Sequence, residues 1–342
     1  MEGLINLPSA AYLSIMAHYL SPEDELLPIV ARGQELIDRL HAPEGTPPLL
    51  QPERSGMPRI GIALGGGSAR GLTHIPFIEA MDELGLKPSV IAGTSIGALI
   101  GAGWANGMSG KELREHSMAV LGTLRIIAAR LWGHQIRNLG GLLQNGLNIQ
   151  LDANRVVDAF LPDPFPDHFE ELQVPFYVVA TDFQSWHQAV FNTGLLRPTI
   201  AGSIAIPSFF KPVHYANHLL VDGGVVNPLP LDQAAADVDI LVGIDVNGDP
   251  SDRLARADYR ALDVWFGSAQ IMMHSLTAHM MAAYPPDVYA RPHVNSFGAM
   301  EFWRVKEILE VADKEKDNFK RNLTRKVEQF ILKTGETTRA GD

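Results

Sequence analysis

Cysteine is absent from all 342 residues, which excludes a disulfide framework, a thiolate nucleophile and a thiolate metal site. No uninterrupted apolar run reaches the roughly 18 residues of a membrane span, so any bilayer contact is expected to be peripheral. Basic residues are in deficit: 28 Lys and Arg face 39 Asp and Glu, a net charge of −11. Such a chain complements phosphate backbones poorly, and no nucleic-acid partner is expected. The first twenty residues hold neither Lys nor Arg, so the basic start of a secretory signal is missing and a cytoplasmic location is expected.

What is present is an ordinary globular composition, 46% hydrophobic and 20% charged, long enough to bury a sizeable core. Ser21, Pro22, Glu23 and Asp24 read as a helix start, predicting an amphipathic helix over 22–40. The Pro- and Gly-rich stretch after it reads as a linker, so 1–57 form an N-terminal helical extension and the main domain covers 58–295. Within that domain "RIGIAL" (59–64), "SVIAG" (89–93), "PFYVVAT" (175–181), "DILVGIDV" (239–246) and "DVYARPH" (287–293) are short apolar runs between helical segments. Their alternation predicts an α/β fold with a mostly parallel central sheet covered by helices. "QAVFNTG" and "HYANHLLVDGG" read as shorter or antiparallel strands. Apolar positions at helical spacing, from Val305 to Ile331, predict a C-terminal helical extension over 296–342, frayed in its last residues.

Three motifs carry the chemistry. Gly65, Gly66 and Gly67 lie between the first strand and a helix, where bare backbone N–H groups can hold an oxyanion or simply make a tight turn. About thirty residues later, one βαβ unit away, Ser95 stands at a second strand-to-helix junction between the small residues Gly93 and Gly97. That is the context of a nucleophile elbow, although the same glycines also suit tight helix packing. Twelve histidines are present, but none stands on a glycine-marked strand end; Asp222 does, followed by Gly223 and Gly224. Alone, Asp222 reads as a turn residue.

Together these motifs resemble the patatin-like phospholipase family: "GGGSARG" at 65–71, "GTSIG" at 93–97 and "DGG" at 222–224, with similarity through "VVATDF", "SIAIPSFFKPV" and "ADVDILVGIDV". Ser68 stands where many relatives carry a fourth glycine, and Ala201, Gly202 and Ser203 stand where relatives often have Arg-Ala-Ser. The resemblance implies a three-layer α/β/α sandwich and a two-residue dyad, with Ser95 as nucleophile and Asp222 as base. It also implies an oxyanion loop of Gly65, Gly66, Gly67, Arg70 and Gly71. The expected activity is hydrolysis of lipid esters, phospholipid or lysophospholipid, through an acyl-enzyme, with no metal and no cofactor. Acyl transfer or thioester cleavage on the same dyad, a silent lipid- or protein-binding scaffold, and nucleotide binding by the glycine loop are the alternatives.

Two segments bear on partners. The stretch 117–143 combines Val120, Leu121, Leu124, Ile127, Leu131 and Trp132 with Arg125, Arg130 and Arg137; it reads as a cap, its apolar stripe as core before membrane surface. The Met-rich segment 271–284 likewise reads as core filler before acyl pocket. Oligomerisation is expected, if anywhere, through the terminal helices.

Overall fold

The computed structural model describes residues 56–122, 150–248 and 261–339. The expected helix 22–40, its linker and the arginines of 123–149 lie outside these residues. Those described belong to one compact unit, Arg54–Asp342.

Eight strands form one sheet: β1 (Ile60–Leu64), β2 (Val90–Thr94), β3 (Phe176–Asp182), β4 (His187–Phe191), β5 (Val213–Tyr215), β6 (His218–Asp222), β7 (Ile240–Ile244) and β8 (Val288–Ala290). The order is β5-β6-β3-β2-β1-β7-β8, with β4 pairing β3. Strands β3, β2, β1, β7 and β8 run parallel; β4, β5 and β6 run antiparallel to their neighbours. All five predicted parallel strands appear within two residues at their starts, because β-branched runs between turn residues have few other outlets.

Period-two alternation sorts the strand side chains onto two faces. Ile60, Ile62, Leu64, Ile91, Val178, Val242 and Ile244 pack into the larger core, whereas Ala63, Ala92, Tyr177 and Leu241 face a smaller one. The larger core is covered by α1 (His74–Glu83), α2 (Ile96–Ala105), α3 (Ala153–Phe160) and α4 (Leu196–Ser203). The smaller is covered by α5 (Leu231–Ala234) and the end of α6 (Ala261–Ala283). This is the three-layer α/β/α arrangement.

At the C-terminus, α7 (Val305–Asp313) and α8 (Lys316–Arg339) join the larger core through Ile308, Leu309, Phe319 and Leu323. The Phe77 and Phe319 rings meet with centroids 5.1 Å apart. Helix α8 runs on to Arg339, past Gly335, where the sequence predicts fraying.

Candidate active site

Strand register brings the site together. Thr94, the last residue of β2, pairs with Val179 of β3; Asp222, the last of β6, pairs with the next residue, Ala180. Because β4 fills the opposite edge of β3, β2 and β6 share one edge and end head to head. A nucleophile candidate 127 residues from its carboxylate thus becomes its neighbour: Ser95 Oγ donates to Asp222 Oδ2 at 2.6 Å.

Ser95 has φ 55° and ψ −124°, a conformation that costs a non-glycine residue about 1–3 kcal/mol. Its surroundings hold it there. The Ser95 amide donates to Ser203 Oγ at 2.8 Å, and the Ser203 hydroxyl donates to the Val179 carbonyl at 2.6 Å. Glycine at 93 and 97 allows the close approach: a Cβ on Gly97 would lie 2.2 Å from the Leu64 carbonyl oxygen, and one on Gly93 2.6 Å from the Gly97 carbonyl oxygen. Helix α2 begins at the elbow, so its positive end faces the hydroxyl.

Asp222 accepts from the Gly224 amide at 2.8 Å through its other oxygen, and Thr181 Oγ1 donates to its carbonyl at 2.9 Å. Gly223 is required because a Cβ there would meet the Val179 carbonyl oxygen at 2.2 Å. Burial pushes the Asp222 carboxyl up to about 6; the bonds from Ser95 and Gly224 only partly offset it. A desolvated carboxylate of this kind is a stronger base than an ordinary aspartate. Among the described residues, no histidine bonds to either member of the pair.

The glycine loop needs correcting in detail. The amides of Gly65 and Gly66 are used within the fold, donating to the carbonyls of Ile244 at 3.0 Å and Pro228 at 2.9 Å. Among the described residues no acceptor takes the amides of Gly67 and Ser68, and both residues line the same cavity as Ser95. The donors available to an oxyanion are therefore displaced along the loop from Gly65 and Gly66 toward Ser68. Gly66 still matters sterically, since a Cβ there would lie 3.3 Å from Ser95 Cβ. Ser68, at φ 53°, keeps the left-handed backbone that a fourth glycine would favour.

Arg70 and Gly71 also take other roles. The buried Arg70 guanidinium donates to the carbonyls of Phe297 (2.9 Å) and Asn247 (3.0 Å), bracing the loop against two distant segments. Gly71 lets the loop pack on the elbow helix, because a Cβ there would fall 1.9 Å from Ile96 Cγ2.

Two supporting residues were given no role by the sequence. Ser203 stands in the "AGSIAIP" stretch, where only the fold reveals its contact with Ser95. His74 is fully buried, its Nε2 2.8 Å from the Gly65 carbonyl oxygen; desolvation pulls its pKa down to about 4, so it stays neutral and donates to the loop.

The pair opens into a cavity of about 1390 Å³, where apolar side chains including Ile206, Met273, Leu276, Phe297 and Met300 alternate with polar ones such as Asn247, Gln270, Asn295 and Glu301. Met273 of α6 approaches Gly224, so α6 crosses over the Asp222 turn. The Met-rich helix is thus only partly core: Met280 and Met281 pack on the smaller core, whereas Met272 and Met273 line the cavity.

The patatin-like phospholipase family model matches residues 62–235, about half of the sequence, and the chain belongs to that family. It is 33% identical over 203 residues to an uncharacterized NTE family protein of Mycobacterium tuberculosis, covering 59% of this chain and 53% of that protein. It is also 25% identical over 285 residues to patatin-like phospholipase domain-containing protein 6 of Homo sapiens, covering 74% of this chain and 19% of that protein. The chain therefore spans about half or less of the length of these relatives. Among solved structures it matches VipD from Legionella pneumophila with a TM-score of 0.38 and 13% identity, covering 78% of this chain and 67% of that one.

Proposed function

We propose that the protein is a serine lipid acyl hydrolase in which Ser95 attacks the ester carbonyl and Asp222 takes its proton. The observation that carries this reading is the 2.6 Å contact between Ser95 Oγ and a buried Asp222, made on a strained elbow at the wall of a large cavity. As the C–O bond forms, the hydroxyl proton passes to Asp222 Oδ2. The carbonyl oxygen becomes an oxyanion against the amides of Gly67 and Ser68 and the positive end of α2. Collapse of this intermediate expels the alcohol, which takes its proton from Asp222. Water then attacks the acyl-enzyme, Asp222 accepts a proton from it, and Ser95 departs with that proton.

The substrate proposed is a phospholipid or lysophospholipid ester. The cavity exceeds the roughly 300–1,000 Å³ of an ordinary small-molecule pocket, and its methionines can adapt to a flexible acyl chain. Hydrolysis of a panel of phospholipids, lysophospholipids and short-chain esters by wild type, Ser95→Ala and Asp222→Asn tests the reading. Wild type is expected to release fatty acid, Ser95→Ala to release none, and Asp222→Asn to lose about 10³-fold or more in kcat. Fatty acid released by Ser95→Ala at the wild-type rate would overturn it.

A further inference from the structure

We propose that the outer stripe of α6 is a docking surface for an electrically neutral lipid bilayer, placed at the mouth of the cavity that contains Ser95. Val264, Trp265, Ile271 and Met272 are 55%, 44%, 67% and 61% exposed. Their spacing is two pairs seven residues apart, so they form one stripe two helical turns long. Apolar residues scattered singly on a surface need no explanation, but four on one helix face do. Trp265 and Met272 also line the cavity, so the stripe is continuous with the wall that leads to Ser95.

That continuity selects the occupant. A protein seated on the stripe would cover the mouth, whereas a bilayer would present ester molecules directly at it, beside Trp265 and Met272. This route rests on the hydrolase reading above; the binding itself does not. No described helix is long and apolar enough to cross a membrane, so α6 would lie in the interface and not span it. Charge fixes the kind of surface. Between Ala261 and Ala283 the only charged residue is Asp263, with no Lys or Arg, and the whole chain carries −11. Nothing on this helix attracts anionic headgroups, and the net charge opposes them.

The test is vesicle flotation in the Ser95→Ala background, which separates binding from hydrolysis. Phosphatidylcholine vesicles are compared with vesicles containing phosphatidylglycerol, at low and high salt. The expected result is binding to phosphatidylcholine that neither phosphatidylglycerol nor low salt strengthens. A Val264→Gln/Ile271→Gln double variant, at two positions outside the cavity wall, should bind about tenfold more weakly or worse. It should keep its thermal unfolding temperature and, with Ser95 restored, its rate on a water-soluble short-chain ester. Leu332→Gln, an equally exposed position on α8 away from the cavity, should bind unchanged. Binding only to anionic vesicles, equal binding by the double variant, or no vesicle binding together with self-association that the double variant abolishes would each overturn the proposal. Failure of the wild type on the soluble ester would instead remove the hydrolase reading.

Discussion

Asp222 is where stability and chemistry pull in opposite directions. Its carboxyl titrates near 6 in the folded protein against an ordinary 3.8, because burial disfavours the charged form. Folding therefore takes up a proton between these values, and this group's contribution to stability falls as pH rises from about 4 to about 6. At neutral pH the buried charge costs on the order of 2–3 kcal/mol. Asp222→Asn should raise the unfolding temperature by a few degrees at pH 7.5 and by almost nothing at pH 4, measured by calorimetry. A lower unfolding temperature at pH 7.5 would contradict this assignment. Ser203 acts one step further out, as a positioning residue for the Ser95 amide. Ser203→Ala leaves that amide without its acceptor and should lower kcat about tenfold while KM and the pH profile stay unchanged.

Among the elements, strands were the most legible part of the sequence. β1, β2, β3 and β7 are buried along their whole length and read as continuous apolar runs. The three site motifs were legible as well, because each is a local strand-to-turn device whose glycines are fixed by close contacts. What the sequence could not display is how the loops use their hydrogen bonds. The occupation of the Gly65 and Gly66 amides depends on carbonyls more than 160 residues away, and Ser203 reaches Ser95 from 108 residues away. The exposed stripe of α6 was hidden for another reason: a Met-rich period looks the same whether a core, a cavity or solvent receives it. The elbow's tight packing gives a direct prediction. Gly97→Ala should abolish esterase activity and destabilise the protein by about 1–3 kcal/mol or more in urea, since a methyl group there overlaps the Leu64 carbonyl.

The whole molecule extends the sheet's support well past the family match, which ends at residue 235. α7 and α8 close the larger core beside α1, and ion pairs fasten their outer side. Arg114 bonds Glu79 at 2.6 and 2.7 Å and Asp313 at 2.6 Å, while Lys316 reaches Glu79 and Glu83 and Lys320 reaches Glu83. These groups are only partly exposed, so Arg114→Met should cost about 1–2 kcal/mol in chemical denaturation, and less at high salt. Activity of the folded variant should be unchanged, because none of Arg114, Glu79, Glu83, Asp313, Lys316 and Lys320 lines the cavity. The account as a whole turns on one proton moving from Ser95 to Asp222. Its most direct measurement is the rate of covalent labelling by a fluorophosphonate across pH 4 to 8, with the adduct located by mass spectrometry, in wild type and Asp222→Asn. The predicted result is an adduct on Ser95 whose rate rises through about pH 6 in wild type and nearly vanishes in Asp222→Asn. An adduct on another residue, or Asp222→Asn labelled on Ser95 at the wild-type rate, would contradict it.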